Sequence, residues 1–135
     1  MWINMTLITI FNLLFIHWIA DFIMQNESDA LGKSKKAFHL LRHTLMYSSV
    51  WAIFGVFGMF FFGAPWDLLQ IVKFTIITFI AHTITDYFTS RIVAKKFSNR
   101  EYGSNVPNFG AFTIIGFDQI LHYIQIFTTY WVLIN

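Results

Sequence analysis

Four stretches of this sequence run apolar for about twenty residues or more, and inside each sits one pair of ionisable side chains four residues apart. The pairs are His17 and Asp21, His39 and His43, His82 and Asp86, and Asp118 and His122. Apolar runs of that length are best read as helices, because a helix satisfies every backbone polar group within one segment. Four residues is one helical turn, so the two members of a pair share a face. Ionisable groups inside hydrocarbon are costly and turn toward partners in the bundle interior. Apolar length and embedded pairs together predict an all-α fold: an integral membrane bundle of four transmembrane helices, forming one domain over residues 1–135.

Composition supports this reading. Of the 135 residues 56% are hydrophobic and only 12% charged, where a soluble domain carries about 25% charge. Cysteine is absent, which removes disulfides and thiolate metal sites and leaves nitrogen and oxygen as the only strong ligands. The net charge of +2 is modest, and the basic residues flank apolar segments instead of forming a face of their own, so nucleic acid is not an expected partner.

The expected segments run from about Trp2 to Met24, Ala37 to Phe62, Leu68 to Arg91, and Phe109 to the C-terminus. The first has no basic leader and no small-residue cleavage pattern, and is read as a retained span. Gly63-Ala64-Pro65-Trp66-Asp67 makes a tight turn between the second and third segments. Residues 25–36 form a polar connector, and Ser98 to Asn108 have the composition of a loop. Lys33, Lys35, Lys36 and Arg42 lie around the first connector, and Arg91, Lys95, Lys96 and Arg100 around the last. The positive-inside tendency then places both connectors in the cytoplasm and both termini outside, in a multi-pass protein of the cytoplasmic membrane. On this topology three pairs fall at one depth. Asp118 and His122 lie deeper, and reach that level only if Asn108 to Gly116 is partly interfacial or the last helix is tilted.

One pair alone is most simply polar glue between helices. Four pairs, one per segment, are the way helical bundles project metal ligands inward. The candidate ligands are His17, Asp21, His39, His43, His82, Asp86, Asp118 and His122. Imidazole and carboxylate suit a divalent transition metal, zinc first with iron or manganese as alternatives, in one or two ions. Gln25 continues the His17 and Asp21 face, and Gln119 adjoins Asp118. Ser34 and its neighbouring lysines can receive an anionic head group, or simply mark the cytoplasmic side.

The motif order His17-x-x-x-Asp21-Phe22-x-x-Gln25, Gly32-Lys33-Ser34-Lys35, His39 with His43, His82-x-x-x-Asp86-Tyr87 and Gly116-Phe117-Asp118-Gln119-x-x-His122 resembles a family of small bacterial and phage membrane proteins filed as a domain of unknown function. More distantly it is similar to membrane-bound metal-dependent hydrolases, a likeness that implies hydrolysis. The expected function is therefore metal-dependent hydrolysis of a lipid or lipid-linked phosphate or ester near the cytoplasmic leaflet. Asp118 would act as general base or bridging ligand, with Gln25 and Gln119 orienting substrate. The alternatives are proton or divalent-metal transport, for which so short a chain would need to form a homo-oligomer, and a non-enzymatic phage membrane effector whose metal is structural.

Overall fold

Three of the helices begin where the sequence supplies a side-chain cap. The computed structural model describes residues 6–99 and 109–134, and its regular elements are all helical. Thr6 caps α1, Leu7–Trp18, its side chain accepting from the Thr9 amide at 3.1 Å. The chain then passes without a break into one π-helical turn, Ile19–Ile23, closed by the Met24 amide donating to the Ile19 carbonyl at 2.9 Å. Asn26 caps a short helix, α2, Glu27–Gly32, through the Asp29 amide at 2.9 Å. That helix lies in the connector expected to be irregular. A capping asparagine and two acids in the first turn explain it, since both complement the positive helix end.

The second expected segment is α3, Ala37–Phe62, with the bounds anticipated. It stops at Gly63, whose φ of 59° is left-handed; the Ala64 amide then donates to the Gly58 carbonyl at 3.0 Å. A side chain at Gly63 would be strained in that conformation. Asp67 and Gln70 cap each other reciprocally at 2.8 and 2.7 Å and open α4, Leu68–Asn99. This helix runs past the expected end at Arg91, so the basic run Arg91–Lys96 is helical and not a connector. No proline or glycine interrupts it there, and Ile92, Val93 and Phe97 continue its apolar pattern. Of the expected last loop, Ser98 and Asn99 are helical and residues 100–108 lie outside the described residues. The final helix is α5, Phe109–Ile134.

α4 is the spine of the bundle, packed along both α3 and α5, while α1 and its π-helical turn lie against α3. Gln70 at the start of α4 donates to the Leu133 carbonyl at 2.7 Å, which fixes α5 antiparallel to it. Phe97 and Phe112 meet at the other end, ring centroids 6.1 Å apart. The first turns of α5 therefore run beside the unanticipated extension of α4. This brings His122 level with His82, their ring centroids 4.2 Å apart.

The distribution of polarity is inverted relative to a water-soluble bundle. Leu13, Tyr47, Val50, Trp51, Phe74, Ile126 and Tyr130 form an apolar core at one end, while the other buried positions are largely histidine, aspartate, serine and threonine. The outer surface carries exposed Phe11, Ile53, Phe60, Ile80, Phe88 and Ile124. Two helices, α3 and α4, are long and apolar enough to cross a membrane, and Leu7–Ile23 is a shorter apolar helix.

Candidate metal centre

Four separate parts of the fold deliver ionisable side chains to one buried point. α1 and the π-helical turn supply His17 and Asp21, α3 supplies His43, α4 supplies His82 and Asp86, and α5 supplies Asp118 and His122. The histidines of this set are each 1% exposed. His43 Nε2 lies 3.1 Å from His82 Nε2, 3.1 Å from Asp21 Oδ1 and 3.2 Å from Asp86 Oδ2. His82 Nε2 is 3.5 Å from Asp21 Oδ1 and 3.7 Å from Asp86 Oδ2. His122 points its Nε2 at Asp86 Oδ1 and its Nδ1 at Asp118 Oδ2, each at 3.5 Å. Three overlapping groups, His17/Asp21/His122, Asp21/His43/His82 and His82/Asp86/His122, are each tight enough to hold a metal ion.

Hydrogen bonding divides this cluster in two. Around Gln119 the polar atoms are partnered. His17 Nε2 donates to Gln119 Oε1 at 2.8 Å, leaving Nδ1 to accept from the Tyr47 hydroxyl at 2.9 Å. The Gln119 amide donates to Asp21 Oδ2 at 3.0 Å and to Asp118 Oδ2 at 3.2 Å, and Thr89 donates to Asp118 Oδ1 at 2.6 Å. Elsewhere they are not: among the described residues, Asp21 Oδ1, His43 Nδ1, His82 Nδ1, Asp86 Oδ1 and both nitrogens of His122 have no hydrogen-bond partner. Buried polar atoms left so are rare in native proteins, and an ion is one of the explanations they call for.

His39 is not part of the cluster. It sits one turn nearer the start of α3 than His43, and its Nδ1 is 2.9 Å from Asp29 Oδ1. Asp29, 3% exposed, also accepts from Arg42 Nε at 2.8 Å and Asn26 Nδ2 at 2.8 Å, which clamps α2 onto α3. Arg42 and His39 hold the Asp29 carboxyl down at about 2 against the burial that opposes its charge.

Lys33, which follows α2, reaches into the cluster and places Nζ 2.7 Å from Asp86 Oδ2. Burial works against its charge, but Asp86 and Asp21 outweigh burial and keep it an ammonium. A cavity of about 630 Å³ opens beside it, with Gln25, Lys33, Ser90 and Gln119 among its polar lining and Phe22, Leu31, Val93, Phe97 and Ile115 on its apolar walls. Gln25 is thus at the cavity, as its face suggested, and its Oε1 is buried without a partner.

Sequence reasoning passed over three residues here. Tyr47 stacks on His82 with ring centroids 3.8 Å apart and planes 9° apart; it lies four residues after His43, so the same face rule would have found it. Thr89, three residues after Asp86, was available in the same way. Asp29 carried no such signal, because its partners lie in a different helix.

The fold and the cluster define a helical protein with a buried histidine–aspartate centre that could hold a metal ion. The chain belongs to the family described as Protein of unknown function (DUF3307), whose model matches residues 9–135 and so spans every member of the cluster. No curated protein and no solved structure matches it.

Proposed function

We propose that this protein is a four-span membrane-embedded hydrolase, dependent on one or two divalent transition metals, zinc foremost, that acts on a lipid or lipid-linked phosphate or ester. The observation that carries this reading is the convergence of seven histidines and aspartates from separate helices on one buried point, with six of their polar atoms left without a hydrogen-bond partner among the described residues. A charged side chain at the centre of a bilayer costs about 2.5–3.5 kcal/mol, a cost that coordination would offset. The apolar outer surface supports immersion in lipid. On the positive-inside tendency the basic stretches Lys33–Lys36 and Arg91–Lys96 face the cytoplasm, with both termini on the other side.

The cavity supports the substrate class. Its apolar walls suit an acyl or prenyl chain, and Lys33 and Lys35 on its polar side suit an anionic head group. A bound metal supplies a water whose pKa is brought near ~7. Gln119 holds the Asp21 and Asp118 carboxylates in place, and Asp118, on the cavity lining, is positioned to accept a proton there. Gln25 is positioned to orient the head group. Transport across the membrane is less well served: beyond the cluster the core is mainly Leu13, Val50, Trp51, Phe74 and Ile126, with hydroxyls but no histidine or carboxylate buried among its described residues.

The test is elemental analysis of detergent-purified native protein and of a His82→Ala/Asp86→Ala variant, followed by phosphate-release and ester-hydrolysis assays on lipid substrates. Metal in the native protein, lost in the variant together with hydrolysis, is the expected result. A folded native protein that takes up no metal on supplementation, or that is loaded and inert toward both bond types, overturns the reading.

A further inference from the structure

The seven clustered side chains do not present themselves equally to an ion. Asp21 Oδ1, His43 Nε2, His82 Nε2 and Asp86 Oδ2 are separated by 3.1, 3.1, 3.2, 3.5 and 3.7 Å across the five pairs described above. A tetrahedral zinc with bonds of ~2.0–2.1 Å spaces its ligands by about 3.3–3.4 Å. Asp21 Oδ1, His43 Nε2 and His82 Nε2, 3.1, 3.1 and 3.5 Å apart, therefore already stand near three corners of one coordination tetrahedron, and Asp86 Oδ2 lies 3.2 and 3.7 Å from the two nitrogens. His17 and Asp118 differ: each is engaged by the Gln119 amide, and His17 has both ring nitrogens committed.

One corner is contested. Asp86 Oδ2, the α4 carboxylate oxygen nearest both histidine nitrogens, is the atom that Lys33 Nζ touches at 2.7 Å. Lys33 is carried by the short α2 segment, which the Asp29 clamp fixes to α3, and its side chain also lines the cavity. An ammonium on that oxygen weakens it as a ligand, since both compete for the same lone pairs and their charges repel. Catalytic zinc sites hold three protein ligands and leave the fourth position exchangeable, whereas four firm ligands make a closed structural site.

We propose that this chain binds a single metal ion through Asp21, His43 and His82, with Asp86 as a fourth ligand that Lys33 keeps exchangeable, while His17, Asp118 and Gln119 form a hydrogen-bonded shell around them. The proposal deepens the metal-dependent reading above and rests on its metal, but not on hydrolysis. In it, Lys33 keeps one coordination position open toward the cavity, and an anionic head group entering there meets the metal and the ammonium together.

The experiment is zinc titration of the detergent-purified full chain against a competing chelator, with helicity by circular dichroism as the folding control. One equivalent is expected. Asp21→Asn and His43→Ala should lose it, His17→Gln and Asp118→Asn should keep it, and Lys33→Met should tighten zinc binding by about tenfold as Asp86 becomes a firm ligand. Should the ligand variants fail to fold, zinc-edge X-ray absorption on the native protein decides: a shell of two imidazoles with oxygens supports the assignment, and three or more imidazoles overturns it. Two equivalents, loss of zinc in folded His17→Gln or Asp118→Asn, or unchanged affinity in Lys33→Met overturns the proposal and leaves the metal-dependent hydrolase standing. No zinc in the folded native protein overturns both.

Discussion

The Asp29 clamp and the Asp21/Asp86 cluster are built from the same materials, a buried carboxylate with histidine and a cationic side chain, yet they are opposite in hydrogen bonding. Both oxygens of Asp29 are occupied, by Arg42, His39 and Asn26. In the cluster Asp21 Oδ1 and Asp86 Oδ1 have no such partner, nor do the outer nitrogens of His43 and His82. The clamp is complete as a protein-only structure and the cluster is not. A buried polar group is stable when every donor finds an acceptor, so composition alone does not distinguish a structural contact from a site. The accounting of partners does.

That contrast can be broken from either side. The largest expected effect is Asp21→Asn, which should lower metal affinity by at least about 100-fold, measured by chelator competition, while the α2 contact to α3 persists. Gln119→Ala comes next. Gln119 orients Asp21 without taking a place among the proposed ligands, so affinity should fall by about 10- to 100-fold with stoichiometry unchanged.

On the clamp side, Gly32→Ala would put a Cβ 2.5 Å from His39 Cγ and Cδ2. The neighbouring ring must shift, and a stability loss of about 1–3 kcal/mol in denaturant unfolding is expected. Because α2 carries Lys33, the same variant should also loosen the Lys33 contact to Asp86. The smallest effect concerns pH. Asp29 is held at about 2 against an ordinary 3.8, so its contribution is fully present above about pH 4 and fades as pH falls from there toward 2. In Arg42→Met that acid transition should move up toward pH 4 while metal stoichiometry at neutral pH is unaltered, followed by helicity against pH.

That His82 and Asp86, and Asp118 and His122, share a helix face was legible from spacing because α4 and α5 are regular where those pairs lie. Helical bounds were legible where glycine or proline ends a run, as at Gly63, and not where α4 continues through Arg91–Lys96, since lysine and arginine favour a helix as readily as they mark a connector. His39 shows the limit of periodicity. It has the same spacing to His43 as His17 has to Asp21, but spacing reports the face of a helix and not which neighbour lies opposite at that height. At the height of His39 the neighbour is α2, a helix too short to announce itself. Lys33 was legible as a charge, and only the placement of α2 shows that its ammonium touches Asp86.

Asp21 stands inside the single π-helical turn of the molecule's described residues. A π-helical turn is an α-helix carrying one inserted residue, so it records a length change as well as a shape. Removing one residue from Ile19–Ile23 would let the segment relax to regular α-helix, and would swing everything after it by about 100° around the axis relative to His17. Relatives of this chain should therefore hardly vary in length between His17 and Gln25, a pattern of insertions and deletions readable without any measurement of activity.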